Sequence, residues 1–218
     1  MESVKPRRYD ASRRREQARL TREAIIAVAR RRFLDEGYIP TTIASIAADA
    51  GASADTIYKS FGGKAGLLRA MCQEALAGSG SVPAEQRSDA MQANESDPRR
   101  ILRGLGTLTT EVAPRIAPLL LLLATAGGTD PAVAQLRAEL DAARLTRMTQ
   151  VARGLAEKTT LRAGVSVQQA AEIMWTYSSP ELYGLLVLGR NWPPARYGDF
   201  VGQSLVDALL GPDPGRMR

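Results

Sequence analysis

Apolar residues return along the chain every three or four positions, and no segment keeps the strict alternation of a strand for more than a few residues. The sequence therefore predicts an all-α fold. The first helix is expected from about Arg13 to Glu36, with Ile25, Val28, Ala29 and Phe33 at i, i+3, i+4, i+8 and Gly37 as the stop. Pro40 and Thr41-Thr42 open a second, shorter helix. Either threonine is a suitable N-cap, and Ile43, Ile46, Ala47 and Ala50 face inward. Gly51-Ala52-Ser53 makes the next turn: Gly51 can take a positive φ, and Ser53 can cap a third helix through about Phe61, ended by Gly62-Gly63. A fourth helix follows from about Lys64, with Leu67, Leu68, Met71, Cys72, Ala75 and Leu76 on one side. Cys72 lies in that stripe and reads as a small core residue rather than a reactive thiol.

The composition changes at Gly78 to Pro98, rich in Gly, Ser, Pro, Asn, Asp and Gln, which reads as a long connection with room for one short helix near Asp89. Asp97-Pro98 and Asp130-Pro131 each place an N-cap before a proline at the first helical position. Helices are expected near 98–113, 115–126 and 131–159, the last charged on its outer side. Ser166 caps a segment in which Val167, Ala170, Ala171, Met174, Trp175 and Ser178 form a helical stripe. Pro180 starts another helix through about Gly189, and Asn191 to Pro194 breaks it. Val201, Leu205, Ala208 and Leu209 stripe the last helix, which Gly211-Pro212 ends. The expected order is a flexible basic arm over residues 1–12, a three-helix unit over 13–70 and a larger helical domain over 71–218.

The 218 residues include no histidine and one cysteine. That removes Ser-His-Asp triads, Cys-His pairs, imidazole metal ligands, a disulfide framework and a CxxC zinc site, so no cofactor or metal is expected. No apolar stretch follows the charges of Met1 to Arg8. The longest apolar run, Ile116 to Ala126, is shorter than the roughly 20 helical residues a bilayer needs, and the expectation is a soluble cytoplasmic protein.

The net charge of +6 sits in one place. Residues 1–70 hold 14 Lys+Arg against 8 Asp+Glu, and the remainder holds 15 against 15. A basic segment joined to a neutral body points to one part that meets a polyanion and another with a different task. A solvated arginine-rich helix gives the same count, and 25 Arg to 4 Lys can follow from genome composition alone.

The segment Thr41 to Leu68, TTIASIAADAGASADTIYKSFGGKAGLL, narrows the choice. Two short helices joined by a glycine-containing turn make a helix-turn-helix, whose second helix is presented to the major groove while the first crosses behind it. Ser53, Thr56, Tyr58, Lys59 and Ser60 give that second helix hydrogen-bonding side chains on its outer face, while Ile57 and Phe61, four apart, face inward.

Here the sequence resembles the tetracycline-repressor-like (TetR) family of transcription regulators. The matching features are Phe33-Leu34-Asp35-Glu36-Gly37-Tyr38, the Thr41-Thr42 start, Ile46-Ala47 with Ala50-Gly51, Ser53 with Thr56-Ile57-Tyr58 and Phe61, and Lys64 followed by Leu67-Leu68. The likeness is dense from about Thr21 to Leu68. A looser one runs from Leu161-Arg162 through Pro180-Glu181-Leu182-Tyr183 to Trp192. The resemblance implies a homodimeric all-α repressor with an amino-terminal helix-turn-helix DNA-binding domain and a larger carboxy-terminal ligand-binding and dimerisation domain. Its small molecule releases a double-stranded DNA operator. Two positions depart from the family pattern: Ala54 follows Ser53 where lysine or another polar residue is common, and Asp55 stands where glycine is common. Asp55 either turns to its own helix N-terminus, which is the favoured reading, or reads a base.

Carried over residue by residue, Thr42, Tyr58 and Lys64 would contact phosphates, and Thr56 and Lys59 are the candidates for base edges. With Ser53, Asp55 and Ser60 they make up the candidate DNA-binding set. A ring packed between helices is the alternative for Tyr58. Arg7, Arg8 and Arg13 to Arg15 are either an arm on backbone or minor groove or a plain solvated tail.

In the second domain the candidates for a ligand pocket are Leu105, Leu122, Met148, Met174, Trp175, Tyr177 and Tyr183, residues that a helical core of this size must also bury. The expected ligand is small and largely apolar. Dimerisation is expected through helices near 167–178 and 197–210, with Ala170 and Ala171 allowing close approach and Leu205 and Leu209 supplying apolar surface. Three other readings stand beside this one. The first is a DNA-binding dimer without a sensor. The second is an enzyme using paired carboxylates such as Glu139 and Asp141, on which nothing converges. The third is a basic helical module on an anionic membrane, which would need the apolar side of the first helix free.

Overall fold

Glycine and capping side chains set the bounds of the first four helices in the computed structural model, which describes residues 8–78 and 80–210. These are α1 (Arg8–Asp35), α2 (Ile43–Ala50), α3 (Ala54–Phe61) and α4 (Lys64–Ala77). α1 already includes residues 8–12, part of the segment expected as an arm, and Arg7 lies outside the described residues. Of the two candidate caps, Thr42 caps α2: its hydroxyl accepts from the Ser45 N–H at 3.0 Å, and Ser45 Oγ accepts from the Thr42 N–H at 3.2 Å. Thr41 is buried instead and donates to the Gly37 carbonyl at 2.8 Å. Gly51 ends α2 at φ 62°, a left-handed conformation that suits glycine.

The chain divides into two compact units between Met71 and Cys72. In the first, Ile25, Ile26, Ala29, Phe33, Ile46, Ile57, Leu67 and Leu68 are buried. The apolar side of α1 is thus spent on this core and is unavailable to a membrane surface.

The second unit contains α5 (Ala84–Asn94), α6 (Pro98–Ala126), α7 (Pro131–Lys158), α8 (Val167–Tyr177), α9 (Pro180–Tyr183) and α10 (Pro194–Leu209), with one π-helical turn, Gly184–Leu188, after α9. The short helix expected near Asp89 is α5, with Ala84 and Ser88 buried. Three expectations change. The two helices expected around Pro114 are one continuous α6 that carries both Pro114 and Pro118 in its interior. A proline there costs on the order of 3 kcal/mol, and the burial of Ile116, Ala117, Leu119, Leu120 and Leu123 offsets it. The helix expected from Pro180 to Gly189 passes into the π turn after four residues. Ala170, Ala171, Leu205 and Leu209 lie in this unit's own core rather than on a dimer surface. The expected stop at Gly211-Pro212 falls outside the described residues.

α6 is also long and apolar enough, by length and composition, to cross a membrane. In this fold it is the central helix of the second unit, packed chiefly on α10 and also on α5, α7 and α9. At Gly106 the α6–α10 contact is backbone on backbone. A Cβ added at Gly106 would fall 2.3 Å from the Gly198 carbonyl oxygen and 2.7 Å from the Gly202 nitrogen.

Candidate nucleic-acid interface and internal cavity

α3 has one buried side chain, Ile57; Phe61 is half-buried, with the Arg22 guanidinium 4.5 Å from its ring centroid. Ser53 caps the helix, its Oγ accepting from the Thr56 N–H at 3.0 Å and lying 2.8 Å from Thr56 Oγ1. Around the outer face, Asp55, Tyr58, Lys59 and Ser60 are exposed and Thr56 is partly so. Tyr58 is 56% exposed, so its ring is not packed between helices. Asp55 does not turn to the backbone amides of its own helix terminus; its Oδ2 meets Lys59 Nζ at 2.7 Å.

Thr42 is exposed at the start of α2, and because its oxygen serves as the capping acceptor its O–H remains able to donate. Lys64, the first residue of α4, donates to the Tyr38 carbonyl and lies 3.5 Å from that of Ile39, with its amine 4.0 Å from the Tyr38 ring centroid. Tyr38 is itself buried against Phe33 at 5.4 Å. Behind these residues, Arg31 and Arg32 hold Asp49 at 2.6 and 2.9 Å. The hydrogen bond from Arg32 keeps the Asp49 carboxyl below its usual range. The structure thus brings Ser53, Asp55, Thr56, Tyr58, Lys59 and Ser60 together on α3, with Thr42 and Lys64 at the starts of the two flanking helices. Sequence reasoning missed Arg22, whose contact with Phe61 has no signature in periodicity.

The second unit has a partly open cavity of about 330 Å³. Leu105, Met148 and Met174 line it, as expected, with Leu108, Val112, Ile116 and Leu140. Leu122, Trp175, Tyr177 and Tyr183 are not part of the lining. Tyr183 packs edge-on against Tyr197 at 5.4 Å, Tyr177 against Phe200 at 6.3 Å, and Trp175 lies under Arg144, 4.4 Å from ring centroid to guanidinium. Arg144 and Arg147 do line the cavity and were missed. They occupy the inward stripe of α7 between Leu140, Met148 and Val151, and charged residues at those positions are the signal in the sequence. Glu139 and Asp141 do not form a catalytic pair: Glu139 accepts from Gln135 at 3.1 Å, and Asp141 is bound by Arg137 at 2.6 Å and Arg144 at 3.3 Å.

A capped helix-turn-helix with a polar outer face, joined to a larger helical unit with an apolar cavity, defines the class of helix-turn-helix transcription regulators. Residues 25–71 match the family of bacterial regulatory proteins called tetR, so the first unit carries a DNA-binding domain of that type. No curated protein sequence matches the chain. Among solved structures, the SmeT–triclosan complex is 20% identical, with a TM-score of 0.66 over 89% of this chain and 98% of that one. The fatty acid degradation regulator FadR from Bacillus halodurans is 16% identical, with a TM-score of 0.67 over 85% and 94%. A protein described as a transcriptional regulator from Saccharomonospora viridis, in complex with choline, is 18% identical, with a TM-score of 0.63 over 85% and 95%. These likenesses show that the fold of such regulators extends over most of the chain.

Proposed function

We propose that the protein is a cytoplasmic, ligand-released repressor that binds a near-palindromic operator in double-stranded DNA as a homodimer. The observation that carries the DNA reading is α3, an eight-residue helix that buries only Ile57 and turns Thr56, Tyr58, Lys59 and Ser60 outward. Thr56 and Lys59 read base edges. Thr42, Tyr58 and Lys64 hold phosphates, and Lys64 exchanges the Tyr38 carbonyl for one of them. In the homodimer two such helices lie about 34 Å apart, one turn of the duplex. Leu185, Leu188 and Phe200, exposed by 67, 52 and 37%, supply apolar area for a second copy to cover, in place of the buried Leu205 and Leu209.

The cavity supports the sensor reading, as do the triclosan and choline complexes of the two similar folds. By linkage, a ligand that lowers operator affinity tenfold binds the DNA complex tenfold more weakly, a coupling of about 1.4 kcal/mol. A mobility-shift assay compares the DNA upstream of the protein's own gene with random duplex of equal length. The reading requires a complex of two chains on the first that survives competition by the second. Equal retention of both duplexes overturns it.

A further inference from the structure

The charged groups at the cavity are not balanced. Glu85, Arg144 and Arg147 line it, but the Glu85 side chain is 70% exposed while those of Arg144 and Arg147 are 15% and 19% exposed. Of the carboxylates that pair with the arginines, Glu85, 4.0 Å from Arg147, belongs to the lining, whereas Asp89 at 2.5 Å from Arg147 and Asp141 at 3.3 Å from Arg144 lie outside it. Asp141 is shared, since its other oxygen accepts from Arg137 at 2.6 Å. Arg144 donates through Nη1 to the Trp175 carbonyl at 2.6 Å and to Ser178 Oγ at 3.4 Å, yet its Nε is buried with no acceptor. Burial lowers the pKa of Arg144 in spite of Asp141, so its partners do not fully replace the water it has lost. Arg144 and Arg147 thus bring two little-exposed guanidinium groups to one cavity, and that of Arg144 is incompletely satisfied by the protein.

The rest of the wall limits the ligand further. It is largely aliphatic, with Leu105, Leu108, Val112, Ile116 and Met148 beside the hydroxyls of Ser88, Thr109, Ser178 and Ser179, and among the described residues no aromatic side chain lines it, so a cationic headgroup finds no ring face there. At about 30 Å³ per non-hydrogen atom, the volume suits a molecule of about ten such atoms. We propose that the cavity is a site for aliphatic monocarboxylates: the carboxylate meets the guanidinium groups of Arg144 and Arg147, while the alkyl chain lies along the aliphatic wall. The inference rests on the sensor reading and names its ligand class.

Calorimetric titration of the whole protein with octanoate, 1-octanol and octyltrimethylammonium holds the chain constant and changes only the headgroup. Octanoate binds at least tenfold more tightly than 1-octanol, and the cation binds more weakly than either. Arg144→Gln brings octanoate down to the affinity of 1-octanol. Arg147→Gln, which leaves the Trp175 and Asp141 contacts intact, reduces the preference as well. Octanoate binding no tighter than 1-octanol, or no binding of any of the three, overturns the proposal, and the comparison in the unaltered protein decides this even if a variant fails to fold.

The same compounds are added to a preformed complex with a duplex selected by the protein from a random pool, followed by fluorescence anisotropy. Release by 1-octanol as effective as release by octanoate leaves the sensor reading standing and overturns the carboxylate anchor. Binding of octanoate that depends on Arg144 but leaves DNA affinity unchanged keeps the anchor and overturns the sensor reading.

Discussion

Lys59 and Asp55 face each other one turn apart on the outer side of α3, with 2.7 Å between Nζ and Oδ2 and side chains 76% and 71% exposed. A pair this exposed adds less than about 0.5 kcal/mol to stability, but it occupies the lysine best placed to meet a base and sets a negative charge toward the phosphates. Asp55→Asn frees Lys59, and tighter binding to random duplex is expected with a change in thermal stability no larger than that. Anisotropy titrations on operator and random DNA check this. A changed preference at a single cytosine position would show instead that Asp55 reads a base.

Lys64→Ala is expected to weaken all sequences alike and to flatten the plot of log affinity against log salt by about 0.9, the loss of one phosphate contact. Lys59→Ala and Thr56→Ala are expected to change sequence preference by about 1–3 kcal/mol at the bases they read. Salt titrations on two unrelated duplexes separate the two behaviours. Equal losses on operator and random DNA for all three variants would refute the assignment.

Gly66 is fixed by its neighbour. A Cβ there would lie 1.6 Å from the Phe61 carbonyl oxygen at the end of α3, a contact no side chain tolerates. Gly66→Ala is expected to destabilise the protein by more than about 2 kcal/mol in thermal melts and to weaken operator binding as α3 is displaced. Gly154→Ala is the control. Its Cβ meets only Gln92 Oε1 at 4.0 Å inside α7, and a gain of about 0.5–1 kcal/mol is expected from helix propensity.

Tyr197 is buried, and burial first, then the nearby Tyr183, pushes its phenol up to about 12 from an ordinary value of 10.0. The folded state therefore prefers the protonated ring. Its contribution is fully present below pH 10 and is lost as pH rises toward 12, on the order of 2–3 kcal/mol in all. Chemical denaturation at pH 9, 10, 11 and 12 measures the slope. Tyr197→Phe is expected to flatten it over this window, and an unchanged slope would place the alkaline sensitivity elsewhere.

The first unit was legible in the sequence because its punctuation is local. Gly51, Ser53 and Gly62 act within a turn of where they stand, and Ile43, Ile46 and Ile57 keep the helical period. The second unit hid what depends on distant partners. Pro114 reads as a break until the burial of Ile116 and Leu119 is known. The cavity was half legible. Met148 and Met174 fit an apolar pocket, whereas Arg144 and Arg147 read as part of a solvated face until the opposite side of α7 proved to be the exposed one. The Lys59–Asp55 spacing is visible in the sequence, but periodicity does not say whether such a pair forms.

The glycine seam between α6 and α10 divides the cavity into a fixed jaw and a compliant one. With no side chains between Gly106 and Gly198 or Gly202, a slide of a fraction of the roughly 1.5 Å helical rise drives a carbonyl into a backbone, so the two helices move as one piece. Val112 and Ile116 from α6, and Val201 and Leu205 from α10, belong to that piece. The wall opposite, with Leu140, Arg144 and Met148, comes from α7, where rotamers can adjust. A molecule that fills the cavity therefore does its mechanical work on α7, and α6 with α10 serve as the anvil.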